Sequence, residues 1–199
     1  MAIDNRLAGY TLHRVIHEGA YTRVFIGVKQ LNQQPVVIKI LKDDYPSRDE
    51  ITRLRHEFQI LNSLDHPGII KPLALETYPN GLALILEDFG GIPLKRYLSQ
   101  TALAVDRFLD VALQLVSALA ELHQHQIIHK DLNPRNILIH PESGQVKIID
   151  FSLSSRLSRE NPSGSNPTLL EGTLAYLSPE QTGRMNRTID YRSDFYALG

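Results

Sequence analysis

The sequence predicts an α+β fold, in which a five-stranded sheet with one helix is followed by a mainly helical part. Short segments rich in β-branched and aromatic residues fill the first part, whereas apolar residues in the second part recur at helical spacing. Gly90 and Gly91, with Pro93 just beyond them, lie between the two parts and are a candidate hinge. We therefore expect two structural parts, at about residues 1–89 and 90–199.

The strands of the first part are predicted from their composition and from turn residues such as Asn32 between them. The predicted strands are Tyr10–Ile16, Arg23–Val28, Pro35–Leu41, Ile69–Leu75 and Leu82–Glu87. Together they are enough for one small sheet.

One helix is predicted between the third and fourth strands. Ser47 and Glu50 have the spacing of a capping box, in which each residue satisfies a backbone N–H near the start of the helix. Apolar residues follow at helical spacing, namely Ile51, Leu54, Phe58, Leu61 and Leu64. Pro67 and Gly68 stop the pattern, because neither residue continues a helix well.

The second part begins with a long predicted helix. Its apolar stripe consists of Phe108, Ala112, Leu115, Val116, Leu119 and Leu122. Further along, Glu142–Gly144 is predicted to form the turn of a β-hairpin. Ser154, Ser155, Ser158, Ser163 and Ser165 then mark a polar loop.

The composition excludes several classes of function. The chain has no cysteine, which rules out disulfides, thiolate metal sites and cysteine nucleophiles. A net charge of −1 gives no reason to expect a nucleic-acid partner. No apolar run approaches the roughly 18 residues of a membrane-spanning helix, and the first residues lack the apolar core of a signal peptide. We therefore expect a cytoplasmic protein without a membrane segment.

Two charged residues occupy apolar positions. Lys39 lies inside the apolar strand Val36–Leu41, and Glu57 lies between Leu54 and Leu61 on the apolar stripe of the helix. Burying either charge alone costs several kcal/mol. Each side chain could reach water along its own element. Because the two charges have opposite signs and lie on neighbouring elements, a shared ion pair is the favoured interpretation.

Three polar residues have the chemistry of phosphoryl transfer. Asp131 and Asn136 lie between two short apolar runs, Ile127–Ile128 and Ile137–Ile139, and Asp150 ends a third run. One carboxylate can accept the proton of a hydroxyl group, while an amide and a second carboxylate can hold Mg²⁺. Phosphoryl transfer from ATP requires these groups.

The run His129–Ile139, together with Asp150–Ser152, resembles the catalytic loop and the metal-binding turn of the protein kinase family. The resemblance extends from Tyr10 to Gly199. It implies a bilobal fold with a five-stranded antiparallel N-terminal lobe and a helical C-terminal lobe that is incomplete at its end. The sequence is similar to those of bacterial kinase domains that lie at the N-terminus of large multidomain sensor kinases. This similarity implies further domains in a longer chain.

By this resemblance, each of the singled-out residues has an expected role. Asp131 orients the substrate hydroxyl and receives its proton. Asn136 and Asp150 bind Mg²⁺, and Lys39, paired with Glu57, holds the α- and β-phosphates of ATP.

The resemblance also implies a nucleotide pocket. Its expected residues are Ile16, Gly19, Val24, Val37, Lys39, Glu87, Phe89 and Leu138. The backbone near Glu87 and Phe89 would bind adenine, and apolar side chains would enclose the ring. Gly19 occupies the glycine-rich phosphate loop, where His17 and Thr22 replace two of the usual glycines.

Gly172–Glu180 resembles the end of an activation segment, which forms a platform for a peptide substrate. Thr173 takes the position at which the family contacts its catalytic aspartate. The serines and threonines between Asp150 and Glu180 are the expected autophosphorylation region.

Taken together, the resemblance implies an ATP- and magnesium-dependent serine/threonine protein kinase that acts on protein substrates in signal transduction. The sequence departs from the family pattern at Asn133, which replaces a lysine, at Lys130, which replaces an arginine, and at Ser152, which replaces a glycine.

Two alternatives stay open. One is a pseudokinase, a binding or regulatory module of a larger signalling protein, which the missing loop glycines favour and the complete set of polar site residues disfavours. The other is a small-molecule kinase of the aminoglycoside type, against which the Gly172–Glu180 platform argues.

Overall fold

The computed structural model describes residues 7–79, 81–157, 172–183 and 187–199. The chain divides into two compact units. The first contains the described residues up to Ser63 together with Ile70–Phe89, and the second contains Leu64–Ile69 and the described residues from Gly90 to Gly199. Most serines of the predicted polar loop, Ser158, Ser163 and Ser165, lie outside the described residues, as does Thr168 of the expected autophosphorylation region.

The first unit contains an antiparallel sheet in the order β1-β2-β3-β5-β4. Its strands are β1 (Tyr10–Glu18), β2 (Thr22–Lys29), β3 (Gln34–Leu41), β4 (Pro72–Tyr78) and β5 (Gly81–Glu87). The five predicted strands are confirmed, but β4 begins at Pro72 and not at Ile69. Ile69 belongs to the second unit, where it forms a parallel bridge with Ile148.

Alternation along β3 gives its two faces different roles. Val36, Ile38 and Ile40 are buried in an apolar core that also includes Phe25 and Ile85. Because successive side chains of a strand point to opposite faces, Lys39 projects to the other face of the sheet. The helix of this unit packs near β4 and β5, and it provides the partner of Lys39.

That helix, α1 (Arg48–Leu61), begins with the predicted capping box. The Glu50 backbone N–H donates to the Ser47 hydroxyl at 3.3 Å, and the Ser47 backbone N–H donates to the Glu50 carboxylate at 2.7 Å. Hydrogen bonds from Ser47 hold the pKa of Glu50 below its usual value. The helix ends earlier than its apolar pattern: the Asn62 N–H still donates to the Phe58 carbonyl four residues back, whereas the Ser63 N–H donates to the Ile60 carbonyl only three residues back. Leu64 therefore lies outside the helix.

The second unit contains three helices and five short strands in the parts that the structure describes. The helices are α2 (Leu94–Gln100), α3 (Val105–Gln124) and α4 (Arg192–Leu198). The strands are β6 (Ile92–Pro93), β7 (Ile127–Ile128), β8 (Ile137–Ile139), β9 (Val146–Ile148) and β10 (Ser155–Arg156). They form one sheet in the order β6-β8-β9 and a separate β7–β10 pair. The predicted β8–β9 hairpin is confirmed, with Gly144 in its turn at a φ of 71°.

The buried face of α3 differs from the predicted stripe. Its buried residues are Val111, Leu115, Ala118, Leu119 and Leu122. Phe108 and Val116 are 56% and 47% exposed, so the prediction was wrong for these two residues. The helix is apolar over more than one face, and Gln114 contributes to fixing which face turns inward. Its side chain donates to the Gly144 carbonyl at 3.1 Å and accepts from the Val146 N–H at 3.0 Å, which docks the hairpin on the helix.

Within the described part of the chain, no helix combines the length and the apolar character that crossing a membrane requires.

Candidate functional site

In the first unit, Lys39 and Glu57 form a buried ion pair. The Lys39 ammonium lies 2.9 and 2.8 Å from the two carboxylate oxygens of Glu57, and the two residues are only 7% and 2% exposed. Neither charge could stay in this interior alone, because the loss of hydration is compensated only by a close partner. The pair therefore fixes an ammonium group at a defined place on the sheet.

The turn between β1 and β2 is held by contacts of its own. The Gly19 N–H donates to the Thr22 carbonyl at 2.8 Å, and the Lys42 N–H donates to the Tyr21 carbonyl at 2.8 Å. Glu18 accepts from the Lys42 ammonium at 2.8 Å, and this bond is the main reason that the pKa of Glu18 lies below its usual value. The replacements of the two loop glycines, at positions 17 and 22, lie in the flanking strands.

The expected nucleotide-pocket residues are distributed over both units. Val24 lies opposite Lys39 in the sheet register, and Val37 lies opposite Leu86. Ile16 lies near the end of β1 and is 43% exposed. Glu87 ends β5, and Phe89 follows it in the first unit, whereas Leu138 lies on β8 in the second. Their role in nucleotide binding stays a prediction.

In the second unit, three neutral donors surround the carboxylate of Asp131. The Thr173 backbone N–H donates to Oδ1 at 2.8 Å, and the Asn133 side-chain amide donates to the same oxygen at 3.2 Å. The Asn136 amide donates to Oδ2 at 2.8 Å. Both oxygens are thus fixed, which leaves the carboxylate little freedom to rotate.

Asn133 is buried at 2% exposure and uses both ends of its amide. Its nitrogen also donates to the Asp131 carbonyl at 2.9 Å and to the Thr173 hydroxyl at 3.2 Å. Its oxygen accepts from the Arg135 N–H at 2.9 Å. The residue that replaces the family lysine therefore acts as a neutral bridge within the loop.

The backbone before Asp131 is held by Asp194 of α4. The Asp194 carboxylate is 1% exposed and accepts the N–H groups of His129 and Lys130, both at 2.9 Å. The His123 ring lies 3.0 Å from the same carboxylate. A buried carboxylate with several donors is well satisfied, so it can serve as a fixed support for the loop.

His129 orients the same loop from its inner side. It is fully buried, its Nε2 lies 3.1 Å from the Ile149 carbonyl, and its ring makes an edge contact with Phe151. The Asp131 N–H donates to Nδ1 at 3.3 Å, so Nδ1 is the acceptor and Nε2 carries the proton. His129 therefore connects the loop that carries Asp131 with the segment that carries Asp150.

Asn136 and Asp150 offer oxygen ligands for a metal ion. The Ile149 N–H donates to the Asn136 carbonyl at 2.9 Å, which brings Asp150, the next residue, close to Asn136. Asp150 has a φ of 63°, an unusual conformation for a residue with a side chain. Amide and carboxylate oxygens are the ligands that Mg²⁺ prefers, so these residues fit the ion. Among the described residues there is no cluster of three or more His, Cys, Asp or Glu that could hold a metal.

One contact of the site, between Gln181 and Lys130, was not predicted from the sequence. The Gln181 side chain donates to the Lys130 carbonyl at 2.7 Å and accepts from the Ser178 hydroxyl at 3.0 Å. Ser178 and Gln181 form a capping box around the short 3₁₀ helix Pro179–Thr182. Their Ser-x-x-Gln spacing is visible in the sequence and predicts the local contact, whereas the bond to Lys130 links positions 51 residues apart.

An anchored carboxylate beside an amide and a second carboxylate, in an α+β chain with a buried lysine–glutamate pair, is the set of groups that phosphoryl transfer requires. The family model for the protein kinase domain matches residues 10–199. The chain belongs to the protein kinase family.

Curated relatives include bacterial and animal proteins. The chain is 37% identical over 202 residues to serine/threonine-protein kinase PrkC of Bacillus subtilis, a match that covers 100% of this chain and 30% of the relative. It is 33% identical over 193 residues to the probable serine/threonine-protein kinase PknB of Lactococcus lactis, covering 96% and 30%. It is also 33% identical over 201 residues to serine/threonine-protein kinase 36 of the mouse, covering 96% and 14%. The chain thus spans less than a third of the length of these relatives.

Proposed function

We propose that this protein is an ATP-dependent kinase that transfers the γ-phosphate to serine or threonine hydroxyls of protein substrates. The anchoring of the Asp131 carboxylate by Thr173, Asn133 and Asn136 supports the proposal most directly. The relatives are named serine/threonine-protein kinases, which supports the proposal independently.

In this proposal Asp131 aligns the substrate hydroxyl and accepts its proton as the phosphoryl group is transferred. Because phosphoryl transfer depends mainly on positioning and on electrostatic stabilisation, a carboxylate that cannot rotate is well suited to the task. The three donors are one backbone N–H and two side-chain amides, and together they hold both oxygens of the Asp131 carboxylate in place.

Mg²⁺ and ATP, when bound, supply the γ-phosphoryl group and the positive charge that stabilises its transfer. Asn136 and Asp150 would hold the metal through their side-chain oxygens. The amide nitrogen of Asn136 donates to the carbonyl and the carboxylate of Asp131. The amide oxygen of Asn136 is therefore the atom that would bind the cation.

Lys39 would hold the α- and β-phosphates. Glu57 keeps the lysine extended and charged within an apolar environment, a role that explains why a carboxylate lies on the buried side of α1. Ile16, Gly19, Val24, Val37, Glu87, Phe89 and Leu138 would line the nucleotide pocket.

The wider setting is also a proposal. We infer a role in signal transduction, a location in the cytoplasm and further domains in the same polypeptide, with an N-terminal lobe at about residues 1–89 and a C-terminal lobe from about residue 90 onward. The small share of the bacterial relatives that this chain covers supports the further domains.

Separate measurements of nucleotide binding and phosphate transfer test the proposal. Asp131→Asn should reduce transfer from γ-labelled ATP by about 100-fold or more, the usual contribution of a general base, while the affinity for Mg-ATP stays within about twofold. Asp150→Asn should weaken magnesium-dependent nucleotide binding itself. The matched control is Asp106→Asn, at the exposed start of α3, which should change neither. Wild-type transfer rates in Asp131→Asn would contradict the proposed mechanism.

A further inference from the structure

The residue before the proposed catalytic aspartate has an unusual backbone conformation. Lys130 has a φ of 69°, in the left-handed region that residues with a side chain rarely occupy. Such a conformation persists only where surrounding contacts hold it. Since the Lys130 carbonyl belongs to the peptide bond that leads into Asp131, the contacts of Lys130 decide how Asp131 is presented.

Both backbone groups of Lys130 are held by side chains distant in sequence. Its N–H donates to Asp194 Oδ1 at 2.9 Å, and its carbonyl accepts from Gln181 Nε2 at 2.7 Å. Asp194 thus fixes one side of the residue, and Gln181 fixes the peptide that joins it to Asp131. The bond to Gln181 is the shorter of the two.

The chemistry of its neighbours decides which way the Gln181 amide points. Oε1 accepts the N–H of Ser178 at 3.2 Å and its hydroxyl at 3.0 Å. A reversed amide would set its NH₂ against the Ser178 N–H and its oxygen against the Lys130 carbonyl, which would cost both contacts. Ser178 is fully buried, so the donor that reaches Lys130 is built into the packed structure.

The two supports of Lys130 are also joined to each other. The Ser193 hydroxyl donates to Glu180 Oε1 at 2.6 Å. Glu180 precedes Gln181, and Ser193 precedes Asp194, so the segment that carries the amide is bonded to the segment that carries the carboxylate. The Lys130 peptide is therefore held between two segments that hold each other.

We propose that Gln181 is a positioning residue for phosphoryl transfer, whose side-chain amide holds the Lys130–Asp131 peptide in the orientation that Asp131 needs. The inference rests on the proposed function, because it concerns the presentation of Asp131 to a substrate hydroxyl. Through the hydrogen bond from Gln181 to Lys130, the Ser178–Gln181 segment also connects the expected peptide platform to the catalytic loop.

Two variants at Gln181 test this in the full-length protein with a serine peptide and Mg-ATP. Gln181→Glu keeps the acceptor for Ser178 but places an anionic oxygen against the Lys130 carbonyl. Gln181→Met is similar in size and lacks all three side-chain hydrogen bonds, two from Ser178 and one to Lys130. The control is Gln100→Glu, the same change at the exposed end of α2. The measurements are kcat, KM for ATP and the thermal midpoint of unfolding.

We expect Gln181→Glu to lower kcat about tenfold or more and Gln181→Met to lower it less, with KM for ATP within about twofold of wild type. Gln181→Met leaves the buried polar groups of Ser178 unpaired and should lower the thermal midpoint, so kcat is measured at a temperature at which every compared variant is fully folded, which separates positioning from general stability. Should Gln181→Glu unfold, the kcat of Gln181→Met decides. Values of kcat within twofold of the control for the folded variants would overturn the inference. A wild-type protein without any phosphate transfer would instead overturn the proposed function on which it rests.

Discussion

A buried ion pair constrains each of its residues more strongly than a surface pair does. Lys39 and Glu57 satisfy each other in a region that excludes water, and a buried charge whose partner is removed loses that compensation. At the scale of single residues, stability and function are therefore coupled at this pair, and variants can separate them.

Lys39→Met should abolish phosphate transfer and lower the free energy of unfolding by about 3–5 kcal/mol, because Glu57 stays buried without its partner. The double variant Lys39→Met, Glu57→Met should regain most of that stability and none of the activity. Urea unfolding and γ-phosphate transfer measure the two properties on the same preparations. Equal stability of the single and double variants would show that the pair is not energetically coupled.

Asn133 offers a second test at this scale. Asn133→Ala removes donors to Asp131 and to the Thr173 hydroxyl. Loss of a hydrogen bond to a charged group costs about 1–3 kcal/mol, which corresponds to about 5–150-fold in rate if it is felt in the transition state. Single-turnover transfer with saturating Mg-ATP measures this effect, and an unchanged rate would show that Thr173 and Asn136 suffice to hold the aspartate.

At the scale of elements, the start of α1 matters because this helix carries Glu57. Ser47→Ala removes the N-cap, which typically costs about 1 kcal/mol, and urea unfolding at pH 7 should show that loss. Asn62→Ala, at the exposed opposite end of the helix, is the control and should cost less.

The same capping box makes the free energy of unfolding depend on pH. The pKa of Glu50 is lowered in the folded protein by hydrogen bonds from Ser47, so the stabilising contribution is present above the carboxyl's ordinary pKa and is lost as the pH falls through the lowered value. The difference in unfolding free energy between wild type and Glu50→Gln should therefore shrink as the pH falls below about 4.5. A difference that is constant between pH 7 and pH 3 would contradict this assignment.

Local patterns explain what could be predicted from the sequence. The capping box of Ser47 and Glu50 and the turn at Gly144 depend on neighbours a few positions away, and the alternation along β3 placed Lys39 on the face opposite Ile38. These features follow from short-range rules, and the structure shows them as expected.

Long-range contacts explain what could not be predicted. The bonds that Lys130 makes to Asp194 and Gln181 join positions 64 and 51 residues apart, and no local rule reports them. The inward face of α3 was misjudged for a similar reason, since its contact with the β8–β9 hairpin through Gln114 selects one of several apolar faces.

At the scale of the whole molecule, the described residues leave one apolar surface on α3 in contact with solvent. It consists of Val105, Phe108, Leu109, Leu113 and Val116, which are between 47% and 76% exposed. Contiguous apolar surface of this kind promotes association. Residues 1–199 should therefore bind a hydrophobic dye.

Leu113→Glu should reduce that dye signal with a change in stability of about 0.5 kcal/mol or less, because Leu113 is 68% exposed. The control is Leu31→Glu, at an isolated position that is 88% exposed, which should leave the signal unchanged. If both variants and the wild type bind equal amounts of dye, the dye binds to a surface other than the apolar residues of α3.

The central claim is that the anchored Asp131 serves the transfer of phosphate to a hydroxyl group. The most direct test incubates the full-length protein with Mg²⁺ and γ-labelled ATP and identifies the labelled amino acids after acid hydrolysis, with α-labelled ATP as the control for bound nucleotide. We predict phosphoserine or phosphothreonine in the wild type and neither in Asp131→Asn. Protein that binds Mg-ATP yet places no label on serine or threonine would contradict the claim.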